Sequence, residues 1–142
     1  MTLEEEIVAK GLTAPRITPD HVENCISSEY YFTASEGVTG ALREQAEAEG
    51  WTYNSTSFHS SLNLLTFCVL ALKNGFTVTG ESACASPENF DADIGRKIAR
   101  ENAVEKIWLL EGYLLKQHLH KQAQKDDLVS SLGEDDCEGC KI

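Results

Sequence analysis

Positive charge is scarce in this chain. Twelve Lys and Arg stand against 23 Asp and Glu, a formal net charge of −11 over 142 residues. A field of that sign repels phosphate backbones, which argues against non-specific binding to DNA or RNA. Long apolar runs are missing too. Nothing approaches the ~20 residues that a bilayer-spanning helix needs, so no membrane partner is expected. The opening MTLEEEIVAKG is acidic and has neither the cationic start nor the apolar middle of a secretion signal. The expectation is a protein that stays in the cell that makes it. The five cysteines are odd in number, which argues against a disulfide framework and fits a reducing cytosol.

Familiar catalytic arrangements are lacking as well. Gly80-Glu81-Ser82-Ala83-Cys84 sets nucleophile types beside a carboxylate, but no histidine is near in sequence to activate Ser82 or Cys84. The glycine that a G-x-S-x-G elbow needs two residues after the serine is not there. Cys137-x-x-Cys140 supplies two of the four ligands of a structural zinc site. His118 and His120 would point to different sides of a helix and do not complete the set. A thioredoxin-like reading needs a βαβ setting, which is absent. His59 stands alone among serines and is not taken as a ligand. The residues therefore predict a non-enzymatic protein with no catalytic group, metal or cofactor.

What is present is organised around residues 62–85, LNLLTFCVLALKNGFTVTGESACA. Asn74-Gly75 between an apolar run and the alternating Phe76-Thr77-Val78-Thr79 predicts a β-hairpin with a type I′ turn, in which both central residues have φ > 0. A helix over 62–73 ended by Asn-Gly is the competing reading. Cys68 and Cys84 read as small buried hydrophobes. Tyr30-Tyr31-Phe32-Thr33 reads as a short strand that pairs with the hairpin. Thr18-Pro19-Asp20 predicts a short helix from Pro19 to about Ser28, and Ser86-Pro87-Glu88 repeats that signal at the head of a long one. The long helix meets nothing to stop it before about Gln122, Gly112 being the place for a kink. Gly95, Ala99 and Ala103 recur at four-residue spacing and allow close approach to a sheet; a second stripe of Phe90, Ile94 and Ile98 adjoins them. Ile107, Leu110 and Leu114 continue the first side, a surface suited to a homo-oligomer.

The predicted fold is α+β: a β-hairpin or small three-stranded antiparallel sheet covered by one long C-terminal helix, with a short N-terminal helix. Residues 1–16 read as a flexible leader with at best a short acidic helix. Residues 17–122 form a single domain in which 35–61 is a surface insertion. There Gly37 and Gly40 suggest a turn and ALREQAEAEG a helix ended by Gly50, with Trp51, Tyr53 and Phe58 pinning the segment down. Residues 123–142 read as a disordered acidic tail.

The exit from the hairpin is the candidate site. Glu81, Ser82, Cys84, Asn89 and Asp91 cluster where the chain enters the long helix, whose N-terminal N–H groups can receive an anion. Arg96 and Lys97 follow on its first turns, within the one basic concentration of the sequence, Arg96, Lys97, Arg100 and Lys106.

Two blocks, LKNGFTVTGESAC and NFDADIGRKIA, together with ITPDHVENCISSEYYF, resemble a family of small tailed-phage proteins. It is named after gene product forty-nine of one coliphage and gene product sixty-six of a Shigella phage. The resemblance covers roughly residues 17–34 and 62–118. It implies an accessory protein made in the cytoplasm of a bacterial host and brings no catalytic residues with it. The resulting expectation is a non-enzymatic accessory protein binding a host component during takeover or defence evasion. The alternative is a binder, or sponge, of a small anionic nucleotide at the hairpin-to-helix junction.

Overall fold

The computed structural model describes residues 1–54 and 60–138, the last five of these by backbone alone. Helices α1 (Leu3–Ala9) and α2 (Pro19–Asn24) precede strand β1 (Ile26–Thr33) and helix α3 (Ala34–Glu49). A 3-10 turn at Ser60–Leu64 leads into β2 (Leu65–Leu72) and β3 (Thr77–Ala83), and a second at Pro87–Asn89 leads towards α4 (Ala92–Glu138). The chain divides into two compact units, Asp20–Ile107, and Met1–Pro19 with Trp108–Ile142. The α+β class, the three-stranded antiparallel sheet, the long C-terminal helix and the short N-terminal helix are as the sequence predicts.

The sheet runs β1-β2-β3, all antiparallel. Along β2 the residues Thr66, Cys68, Leu70 and Leu72 are buried and their neighbours half-buried, the alternation that a pleated strand imposes. The hairpin is real, and the helical alternative for 62–73 is excluded, but its turn differs from the expected one. Only Gly75 has positive φ, +88°, while Asn74 does not. The Gly75 N–H donates to Leu72 O at 2.9 Å, the Leu72 N–H to Phe76 O at 2.8 Å, and the Phe76 N–H to Asn74 Oδ1 at 3.0 Å. That is a three-residue loop, a type I turn closed by glycine in the left-handed region. It needs one left-handed residue where type I′ needs two.

Helix α4 packs on the sheet with its backbone almost touching β3. A Cβ on Gly80 would stand 2.1 Å from Ala99 O and 2.3 Å from Ala103 N. Ala99, Ala103 and Ile107 are fully buried against the sheet side, so the small-residue face of the helix is the packing face. Ile107 thus belongs to this core and is withdrawn from the surface expected for a second copy. Phe90 is half-buried, but Ile94 and Ile98 are 57% and 42% exposed, so the second stripe is not core. The contact is closed by hydrogen bonds from the helix to the strand: Asn102 Nδ2 donates to Glu81 O at 2.8 Å, and Lys106 Nζ to Thr79 O.

Boundaries shifted for local reasons. Helix α2 stops at Asn24, four residues short of the expected end, because Ile26 already pairs with Leu72. Gly37 and Gly40 lie inside α3 and make no turn. A capping box starts that helix at Thr33, whose Oγ1 accepts the Glu36 N–H at 3.2 Å while Glu36 Oε2 accepts the Thr33 N–H at 3.3 Å. Gly50 ends it at φ +78°, as expected. The Ser86-Pro87 signal makes only a 3-10 turn, and the cap of α4 is Asp91, whose Oδ1 accepts the Ile94 N–H at 3.0 Å. Helix α4 passes Gly112 without interruption and runs on to Glu138, beyond the expected end near Gln122. The polar stretch after 122 contains no proline and several good helix formers.

In the leader, Thr2 and Glu5 form a second capping box, and Gly11 follows α1 at φ +67°. Arg16 makes a two-pronged ion pair with Glu4, which raises the arginine pKa and lowers that of the carboxyl. Among the described residues, no helix is long and apolar enough to cross a membrane. Phe58, His59, Cys140 and the Cys137 side chain lie outside the described residues.

Candidate functional site

Beside the entry to α4 lies a cavity of about 160 Å³, lined by Tyr31, Phe32, Thr33, Glu36, Thr66, Phe90, Ala92 and Arg96. Its walls have local causes. The end of β1 supplies Tyr31 to Thr33, and the capping box fixes Glu36 beside Thr33. The Phe32 ring stacks on Phe67 with centroids 5.5 Å apart, and lies 3.2 Å from where a Cβ of Gly37 would be. Thr66 comes from the helix-facing side of β2 and is 3% exposed. Gly95 keeps this wall thin, since a Cβ there would stand 3.1 Å from Thr66 Oγ1 and 4.0 Å from the Phe90 ring. Arg96 follows on the exposed side of the first turns and pairs with Asp93. Because the Phe32 ring lies on the other face of the sheet, with Phe67 and α3, the rings on the helix side are those of Tyr31 and Phe90, joined by two threonine hydroxyls and a guanidinium near the positive end of a helix dipole.

Of the seven residues singled out in the sequence, Arg96 alone lines this cavity. Ser82 is half-buried and pairs across the strands with Thr66, which does line it. Glu81 is exposed on the opposite face of β3, its carbonyl taken up by Asn102. Cys84 donates its Sγ hydrogen to Ser86 O at 3.2 Å, and its backbone N–H to Leu64 O at 3.0 Å. Asp91 is occupied as the α4 cap. Asn89 and Lys97 are exposed.

On the helix-facing side of β1, the sheet carries an ion cluster. Arg100 of α4 bonds Glu23 of α2 through both terminal nitrogens, at 3.0 and 2.7 Å, and Glu29 of β1 through Nε at 2.9 Å. These contacts hold the Glu23 carboxyl below the usual range and raise the guanidinium pKa. Tyr31 donates its hydroxyl to Glu29 Oε1 at 3.2 Å. Burial, aided by the negative charge of Glu29, pushes the Tyr31 phenol up to about 12, and burial likewise raises the Cys68 thiol. The groups are mutually satisfied, and the cluster reads as a clasp between α2, β1 and α4.

The family profile described as Phage protein (N4 Gp49/phage Sf6 gene 66) family matches residues 17–119. The chain belongs to this family. Among curated proteins and solved structures, nothing matches it. The phage-family region takes in the sheet, the cavity, the ion cluster and α3, so residues 35–61 lie inside the span of the profile rather than between two separate matches.

This phage-family chain has a second concavity on α3, open and of about 560 Å³. It is lined by Arg43, Glu44, Ala46, Glu47, Trp51, Thr52 and Tyr53. Gly50 turns the chain back so that Tyr53 meets Arg43, whose guanidinium lies 5.6 Å from the ring centroid. Trp51 is 43% exposed and donates Nε1–H to Glu49 Oε2 at 2.9 Å.

Most cavity residues carry no local functional signal. Tyr31 and Phe32 read as strand, Thr66 as hairpin and Phe90 as part of the second stripe of the long helix. Thr33-x-x-Glu36 is a recognisable capping box, and read as such it would have placed Glu36 beside the end of β1.

Proposed function

We propose that this phage-family protein is a non-enzymatic accessory protein acting in the host cytoplasm, and that the host component it binds is a small anionic, ring-bearing molecule such as a nucleotide. The observation that carries this reading is the junction cavity, whose lining brings Tyr31 and Phe90 together with Arg96 near the start of α4. Rings offer stacking to a base, which every base accepts on its π-face. A guanidinium beside helix N–H groups suits a phosphate. A volume of about 160 Å³ takes the ring or the phosphate end, the remainder of the ligand lying outside. The Glu36 carboxylate on the same wall selects against anions placed on that side.

Titration calorimetry with mono- and cyclic nucleotides tests the reading. Stoichiometric binding is expected, with the nucleotide recovered intact, and Arg96→Ala and Phe90→Ala each weaken it at least tenfold while circular dichroism stays unchanged. Failure of every nucleotide to bind, or binding indifferent to both variants, overturns it.

A second reading rests on the α3 concavity. Glu44, Glu47 and the exposed Trp51 combine acidic charge with an aromatic anchor, the pattern by which a basic surface of a host protein is held. Charge reversal at Glu44, Glu47 and Glu49 is expected to abolish capture of one host protein from lysate. Retained capture rejects this second reading.

A further inference from the structure

The second unit carries an apolar helix face whose spacing matches its own reverse. Within α4, Leu110, Leu114, Leu128 and Leu132 are 36%, 53%, 61% and 58% exposed. At 100° per residue the four fall within about 40° of one another around the helix. Leu110 and Leu132 lie eleven residues either side of Lys121, and Leu114 and Leu128 lie seven. The leader does not supply the cover, since Leu3, Val8 and Leu12 are themselves 74%, 65% and 57% exposed.

We propose that the Leu110–Leu132 stretch of α4 pairs antiparallel with the same stretch of a second copy, the two-fold axis passing beside Lys121. In that register Leu110 of one copy meets Leu132 of the other, and Leu114 meets Leu128, so two leucine pairs repeat on each side of the axis. Between them Gln117, Lys121 and Gln124 form a polar layer, a device that fixes register at some cost in affinity. The two Lys121 amines reach outward to water along their own stems. Charge favours the same direction. A parallel pair would set Asp126 and Asp127 against their own copies, whereas the antiparallel one brings Asp126 level with Lys116. The helix dipoles oppose one another as well.

The test uses the full chain in sedimentation equilibrium and oxidative cross-linking, in a Cys137→Ser, Cys140→Ser background. A concentration-dependent dimer is expected. Leu128→Asp with Leu132→Asp should weaken it about a hundredfold or more. Lys121→Leu, which fills the polar layer, should tighten it about tenfold. Lys121→Cys should cross-link two copies over the background level. Leu128→Cys should not, because in this register the two positions lie 14 residues, about 21 Å, apart. A monomer at every concentration, a dimer indifferent to the aspartates, or cross-linking at 128 in place of 121 each overturns the proposal. The aspartate variants keep a folded control, since the sheet lies in the other unit and its thermal transition should not move.

Discussion

Helix α4 has two stretches with opposite surroundings. In the first, Gly95, Ala99, Ala103 and Ile107 are buried, three of them at 0% exposure and two with only a methyl to contribute. In the second, Leu109, Tyr113, Leu128 and Val129 stand 77%, 71%, 61% and 68% exposed. The more apolar stretch is the exposed one. Burial here follows how closely two backbones can approach, and a face of glycine and alanine opposite Gly80 permits what a face of leucines would prevent.

The comparison can be broken most severely at Gly80. A Gly80→Ala methyl would meet the helix backbone at 2.1 and 2.3 Å, neither partner being a side chain that can swing away. The expected loss is about 4 kcal/mol or more in urea unfolding, an unusually large effect for one methyl. Next comes a matched truncation along one helix. Ile107→Ala should cost about 2–5 kcal/mol, because the side chain is fully buried, while Leu109→Ala should stay within about 0.5 kcal/mol. Equal effects would erase the distinction between the two stretches.

Two smaller effects concern the clasp that holds the first stretch. Arg100→Ala should cost about 1 kcal/mol at neutral pH, since the ion cluster is partly open to solvent. The Glu23 carboxyl is held low by Arg100, so its share of stability is present above the ordinary carboxylate pKa and is lost as pH falls through the lowered value. The difference between Arg100→Ala and the parent should therefore shrink in acid denaturation. Tyr31 and Cys68 act at the other end of the scale. Both are raised, so the fold favours their neutral forms. Their contribution is intact below the unfolded values, about 8.5 for a thiol and about 10 for a phenol, and is lost as pH rises towards and through about 12. Melting temperature should fall over that window, and Tyr31→Phe should flatten the part above pH ~10.

Legibility followed the range of the interaction. The hairpin, the Gly50 stop and the Gly95-Ala99-Ala103 face are set by residues a few positions apart, and each was readable. The type of turn was not, because Asn74-Gly75 serves both a two-residue loop and the three-residue loop that forms. Ser86-Pro87 and Asp91 are both sound cap signals five residues apart, and the choice went to the one followed by uninterrupted helix formers. By propensity alone Gly37 and Gly40 are helix breakers; the capping box before them and the Phe32 ring against Gly37 carry the helix through. The cavity was least legible. Its walls come from β1, α3, β2 and α4, and only Arg96 had a local reason to be noticed. Nothing in the spacing of Tyr31, Thr66 and Phe90 says that the sheet will bring them together.

The hydrogen bonds from Asn102 and Lys106 also bear on how the sheet behaves in a crowded cell. They occupy the carbonyls of Glu81 and Thr79 on the strand that borders the sheet, the groups that another chain's strand would otherwise recruit. At the opposite border, the shift in pairing between Ile26 and Ser28 breaks the regular edge of β1. This phage-family protein thus carries its own obstruction to strand-by-strand aggregation, and at the β3 border the same helix that builds the core supplies it.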